Sequence, residues 1–118
     1  MNKTKNNCVF CKIIAGELPS QIIFRDDQVT AFWDSNPLTP VHILIVPNKH
    51  IDSVNEALPE DEALMGHLIT VAHQIAVDKK IDQSGYRLVI NTGRNAGQSV
   101  FHLHLHLIGG TRMPVRFG

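Results

Sequence analysis

The chain has 118 residues, room for one domain with a core of its own and not for two. Apolar residues make up 43% and charged residues 19%, which excludes an intrinsically disordered chain. Eleven basic side chains balance eleven acidic ones, so the electrostatic signature of a nucleic-acid or anionic-membrane binder is missing.

The opening "MNKTKNN" is polar and leads into no apolar segment, so no secretory leader is expected and residues 1–7 read as a disordered tail. No run approaches the ~18 apolar residues of a membrane span, and a cytoplasmic protein is the default expectation. In "CVFC", Cys8 and Cys11 lie too close together to cross-link distant parts of a domain, which leaves metal ligation, redox chemistry or burial. "FCKIIAGELPS" predicts a short helix, with Gly16 as a left-handed cap and Pro19 preventing continuation. "SQIIFRDDQVTAFWD" predicts a hairpin turning at Asp26 and Asp27. Pro37 and Pro40 make "SNPLTPV" an irregular crossing, and "HILIVP" reads as a central strand buried on both faces.

The one long helix is "PEDEALMGHLITVAHQIAVDKK", with Pro59 at its first position, Glu60 to Glu62 at its positive end and Lys79 and Lys80 at its negative end. Leu64, Leu68, Ala72, Ile75 and Ala76 recur at helical spacing and form one apolar face. "YRLVIN" and "VFHLHLHLI" follow as strands, joined by "TGRNAGQS". The expected fold is α+β: a mainly antiparallel five-stranded sheet with one long helix and a short N-terminal helix, in a single domain spanning 1–118.

Within "SVFHLHLHLIGG", His102, His104 and His106 alternate with Leu103, Leu105 and Leu107. On a strand, that spacing turns three imidazoles to one face and the leucines to the core, with about 13 Å between the outer Cα atoms at ~3.3 Å per residue. The bland reading is a histidine-rich polar face. A second is a catalytic metal site, in which neighbouring histidines share one zinc and the third joins only if the strand bends. Division of labour along the row is the expectation. C-x-x-C is half of a tetrahedral zinc site and needs two more ligands, drawn from histidines at 42, 50, 67, 73, 102, 104 and 106. His67 and His73 fall on the long helix and read as surface or satisfied histidines. Gly93 and Gly97 in "NTGRNAGQS" can turn backbone N–H groups toward one point, a possible phosphate nest.

These stretches together resemble the histidine triad (HIT) family, and specifically its Hint-like, C-x-x-C-bearing branch of nucleotide-binding phosphoramidate hydrolases. "GQSVFHLHLHLIGG" fits the family's alternating histidine motif, and the resemblance continues through "YRLVINTG", "PVHILIVPNKHI", "VTAFWDSNP" and "CKIIAGELPS". The resemblance implies that His104 attacks the α-phosphorus and forms a nucleotidyl-histidine, with His106 and His42 lining the phosphate site. It implies a structural zinc on Cys8, Cys11, His50 and His102. The amides of Gly97, Gln98, Ser99 and Val100, the Ser99 hydroxyl and Asn91 would surround the phosphate. Asp34 would hold the ribose hydroxyls, while Phe10, Ile13, Leu18, Phe32 and Leu44 would form the slot for the base. A purine nucleotide or nucleotide conjugate is the expected ligand and a homodimer the expected assembly, with neither nucleic acid nor membrane as partner. The chain departs from the family pattern at Ser35, where relatives usually carry a larger apolar residue, and in "GGTRMPVRFG", which lacks the tryptophan-containing tail of some relatives. The competing readings are a nucleotide-binding or scaffolding module with incidental turnover, and a zinc metallohydrolase. A nucleic-acid-binding zinc module fits the balanced charge least.

Overall fold

Two elements, a short helix and a hairpin, open the chain in the computed structural model, which describes Lys5 and residues 7–114. The tail expected over 1–7 lies outside the described residues at positions 1–4 and 6. Helix α1 (Val9–Ile14) starts where the Cys8 sulfur accepts the Cys11 N–H, and ends at Gly16, whose φ of 79° closes the last turn. Strands β1 (Ile22–Arg25) and β2 (Val29–Trp33) pair antiparallel. Between them the Asp26 carboxylate accepts the N–H groups of Gln28 and Val29, both at 2.8 Å, which fixes the turn.

Strand β3 (Val41–Pro47) is the central strand, as its apolar run predicts, and is buried along almost its whole length. Helix α2 (Glu62–Asp78) follows a 3₁₀ turn at Pro59–Asp61, so the helix proper begins three residues later than Pro59. It buries Leu68, Val71, Ala72, Ile75 and Ala76, while Leu64 is half-buried at the edge of the same face. Strands β4 (Tyr86–Val89) and β5 (Leu105–Gly109) complete a five-stranded sheet, order β1-β2-β3-β5-β4, antiparallel at every pairing. The fold is the α+β arrangement expected.

The two-residue period of the strands sorts the sheet into two faces. Val29, Ala31, Ile43, Ile45, Leu105 and Leu107 project toward α2 and form the main core with it. Phe32, Leu44 and Val46 project the other way and pack with Cys8, Phe10, Cys11 and Ile13 of the α1 region in a second, smaller cluster. His42 and His106 share that second face by the same alternation.

One expectation needs correction. The strand expected over "VFHLHLHLI" is confined to Leu105–Gly109, and residues 100–102 bend instead. The ladder with β3 stops at the Ile45–Leu105 pair. His42 gives its carbonyl to Asp34 on the β2 side, so by alternation residues 43, 45 and 47 face β5. Position 47 is proline and has no N–H to offer there. Its carbonyl accepts the His102 ring at 2.8 Å instead. The three histidines therefore do not form a straight row: His106 is on a strand, and His102 and His104 are in the segment that leads to it.

Candidate active site

A cleft of about 580 Å³ opens on the sheet face opposite α2. Its apolar wall is Phe10 and Ile13 of α1, Phe32 of β2, Leu44 of β3 and Leu18 beyond α1, the five residues expected to form one slot. Asp34 stands at the rim, and Ser99 and Val100 close the opposite side. His104 and His106 form the floor between them, ring centroids 4.9 Å apart.

Not every expected residue reaches the cleft. The Gly97 N–H donates to the Arg94 carbonyl and the Gln98 N–H to the Gly93 carbonyl, so neither amide is free for a ligand. The Gln98 side chain is buried in a structural role, accepting from Gly93 N–H and donating to the carbonyls of Asp52 and Val100. Asn91 is not among the residues lining the cleft. Gly93 and Gly97 do adopt positive φ, 82° and 83°, as a tight loop at this place requires. What the loop offers the cleft is Ser99 and Val100.

The hydrogen bonds assign every histidine tautomer near the cleft. Leu38 N–H donates to His42 Nδ1 at 3.1 Å, which puts the His42 proton on Nε2. That proton is donated to His106 Nδ1 at 2.9 Å, with Asp34 Oδ2 3.4 Å from the same nitrogen. His106 in turn carries its proton on Nε2. His104 donates its Nδ1–H to the His102 carbonyl at 2.8 Å and so keeps a lone pair on Nε2. His42, 2% exposed, sits behind His106 and does not itself line the cleft. Asp34, His42 and His106 are close enough to one another to share a cation. The proton that the Leu38 amide forces between the two rings already satisfies both nitrogens.

Burial dominates the electrostatics. It holds His106 down to about 4, helped by repulsion from neighbouring His104 and His42. Burial also lowers His104, against the pull of its carbonyl partner. Both rings are neutral at pH 7, so a lone pair at His104 Nε2 and an N–H at His106 Nε2 are available together.

Cys8, Cys11, His50 and His102 form a second constellation beside the cleft, all four buried, with ligand atoms within 4.8 Å of one another. Cys8 Sγ lies 3.3 Å from His102 Nδ1, Cys11 Sγ 3.3 Å from His50 Nδ1 and 3.6 Å from His102 Nδ1. Tetrahedral zinc, with bonds of about 2.0 Å to nitrogen and 2.3 Å to sulfur, has donor–donor edges of about 3.3–3.8 Å. The outer ring nitrogens are occupied: His50 Nε2 pairs with Asp52 at 2.6 Å and His102 Nε2 donates to the Pro47 carbonyl. Both Nδ1 lone pairs therefore face the sulfurs, the orientation a metal requires. Burial pushes the Cys11 thiol up, and a bound cation would reverse that preference. The donor set fits a metal ion and closes around it on all four corners.

Asp52, which the motifs do not single out, orients His50 from two residues further along the chain, and that spacing is its sequence signal. His67 is satisfied by Asp26 at 2.7 Å and His73 is exposed, as expected of both.

Residues 15–113 match the family model described as the HIT domain. Among curated relatives, the chain is 51% identical over 102 residues to the purine nucleoside phosphoramidase of Escherichia coli (strain K12), covering 86% of each chain. Among solved structures, a HIT family hydrolase from Clostridium thermocellum superposes with a TM-score of 0.93 at 46% identity, over 97% of this chain and 99% of that one. A histidine triad protein from Clostridium difficile gives a TM-score of 0.92 at 42% identity, over 95% and 97% of the two chains.

Proposed function

The chain belongs to the HIT family, and from that membership and the geometry of the cleft we propose that it hydrolyses purine nucleoside 5′-phosphoramidates to the nucleoside monophosphate. One observation carries this reading. His104 presents an Nε2 lone pair at the floor of a cleft that has an apolar slot on one side and a carboxylate, Asp34, at its rim.

The base lies among Phe10, Ile13, Phe32 and Leu44, and Asp34 accepts from the ribose hydroxyls. The α-phosphate then rests between His104, His106 and Ser99. His104 Nε2 bonds to phosphorus as the P–N bond breaks, and the departing nitrogen takes a proton through the Ser99 hydroxyl from solvent. The positive charge left on the nucleotidyl-imidazole is stabilised at Nδ1–H by the His102 carbonyl. Water then attacks phosphorus, the histidine leaves as neutral imidazole, and the proton taken in the first step is returned. His106 donates its Nε2–H to a phosphate oxygen throughout, held in that tautomer by His42. Positioning and charge stabilisation account for most of the rate in reactions of this type.

In the same reading zinc occupies Cys8, Cys11, His50 and His102, where it supplies a fastening between the N-terminal segment and the sheet. The enzyme works in the cytoplasm as a homodimer, joined through α2 and β4. Among the described residues, no helix is long and apolar enough to cross a membrane.

The test is His104→Ala. Hydrolysis of an adenosine 5′-phosphoramidate should be lost, while monophosphate affinity falls modestly and zinc per chain is unchanged. Near-normal hydrolysis by the variant refutes the nucleophile, and tight monophosphate binding by a wild type without turnover favours a binding module.

A further inference from the structure

The four-residue metal centre and His104 are joined by two direct contacts, one through His102 of the centre and one through Phe10, which lies in the chain between two of its donors. His102, whose Nδ1 faces Cys8, provides the carbonyl that accepts the His104 Nδ1–H at 2.8 Å. Phe10, lying between Cys8 and Cys11, sets its ring edge-on against His104 with centroids 5.1 Å apart at 82°. The same ring meets His102 at 5.9 Å and Phe32 at 5.5 Å, so it is wedged between the centre, the nucleophile and the sheet.

The sheet does not hold His104 in place. Ladder pairing ends at Leu105, and the residues before it are located by the Leu103 N–H on the Ile51 carbonyl and by the two ring nitrogens of His102. Nor can α1 hold Phe10 alone, since six residues are far below the ~12–15 needed for a helix to persist in water. Both supports of the His104 ring therefore run through residues tied directly to the sulfur and imidazole donors, His102 as one of them and Phe10 between two of them.

We propose that the Cys8, Cys11, His50 and His102 centre positions the nucleophile: His102 and Phe10 are positioning residues that transmit its occupancy to the orientation of the His104 ring. This goes beyond a fastening role, and its kinetic arm rests on the reading of His104 as nucleophile. When the centre is filled, the His102 carbonyl is fixed and the Phe10 edge closes one side of the ring, leaving Nε2 aimed at the cleft. When it is empty, the Nδ1–H can leave its carbonyl and the ring can turn.

Phe10→Leu in the full-length, metal-loaded protein keeps an apolar side chain in the slot but removes the flat edge. Metal per chain should be unchanged and kcat for an adenosine 5′-phosphoramidate should fall roughly tenfold, a fraction of the ~100-fold that a full 1 Å misplacement of a reacting group can cost. KM should stay within about threefold, whereas a residue that only contacts the base would move KM and spare kcat. Independently of turnover, the His104 Nδ1–H proton should give a protected resonance in the loaded protein. It should broaden or vanish in Phe10→Leu, and also when metal is removed by a chelator from wild type, while the amide resonances of α2 keep their positions. A persistent resonance in both preparations, or kcat within twofold of wild type in Phe10→Leu, overturns the proposal. Because the resonance does not depend on hydrolysis, a failed nucleophile assignment would show only in His104→Ala and would leave this result readable.

Discussion

His42 offers the sharpest test of the histidine relay, because it acts on the cleft from behind. Replacing it with Leu keeps a buried apolar side chain on β3 and removes both ring nitrogens. The Leu38 N–H loses its acceptor, but Leu38 is 79% exposed and water can take over at little cost. His106 Nδ1 lies deeper and loses the donor it has in His42, which costs about 1–2 kcal/mol for a part-buried acceptor. The larger apolar surface of leucine recovers some of this, so the expected loss is about 1 kcal/mol, a drop of roughly 3–6 °C in Tm. Catalysis should suffer more than stability. Without the His42 proton, His106 is free to place its own on either nitrogen and to flip its ring, and the donor aimed at the phosphate is lost from much of the population. A fall of about 10-fold in kcat is expected, with KM changed far less, short of the ~10²–10³-fold for outright removal of a preorganised donor because the His106 ring is retained. Urea denaturation and steady-state kinetics on the same preparation measure both. A variant with normal kcat would show that the His42–His106 bond is a packing detail and refute the relay.

Acid should weaken the fold through His106. Its pKa of about 4 lies below the ordinary 6.5, so the unfolded chain takes up a proton that the folded state refuses. That stability is complete above pH ~6.5 and is lost as pH falls toward ~4, at up to about 1.4 kcal/mol per pH unit, and His106→Gln should show a flatter decline of urea midpoint between pH 7 and 5. Equal slopes for the two proteins would contradict this. Gly109→Ala should destabilise by about 1–2 kcal/mol, because the added methyl would stand 2.9 Å from Ile81 Cδ1 and 3.4 Å from the Gly85 carbonyl oxygen. Combining it with Ile81→Val should cost clearly less than the sum of the two, and strict additivity would show that the contact relaxes elsewhere. Lys80 occupies φ 61° at the end of α2, so Lys80→Gly should stabilise by about 0.5–1 kcal/mol in thermal denaturation, and a destabilised variant would rule out strain at this residue.

Sequence periodicity was enough to find each strand, both helices and the face of α2 that is buried, because these depend on local pattern. Pro47 shows where that reasoning stops. Its effect is felt by Leu103, across a ladder whose register cannot be seen in the chain order, and so the alternation from 102 to 106 read as one strand. Loop amides were overcounted for a related reason. Gly97 and Gln98 look available in sequence, but a loop must first satisfy its own hydrogen bonds, and only the structure shows which donors are left. That Cys8, Cys11, His50 and His102 come together, and that five apolar residues line one cleft, follows from the family resemblance, since nothing in spacing alone selects His50 and His102 from seven histidines. The resemblance puts His42 at the phosphate site, whereas its contacts bury it behind His106 and bond it to that ring.

The order of the strands has a consequence for how the protein is made. Among the described residues β5 is last in the chain, yet it lies between β3 and β4. A ribosome therefore releases β4 with no neighbour to receive it, and the sheet waits for the final strand to enter at an inner position. His104 and His106 of the cleft floor arrive in that same interval, so the cleft has no floor until residue 106 has been synthesised. The cleft floor and the β3 partner thus arrive together, and a fragment truncated before residue 105 would keep the first hairpin and β3 but leave the unpaired side of β3 open to other chains.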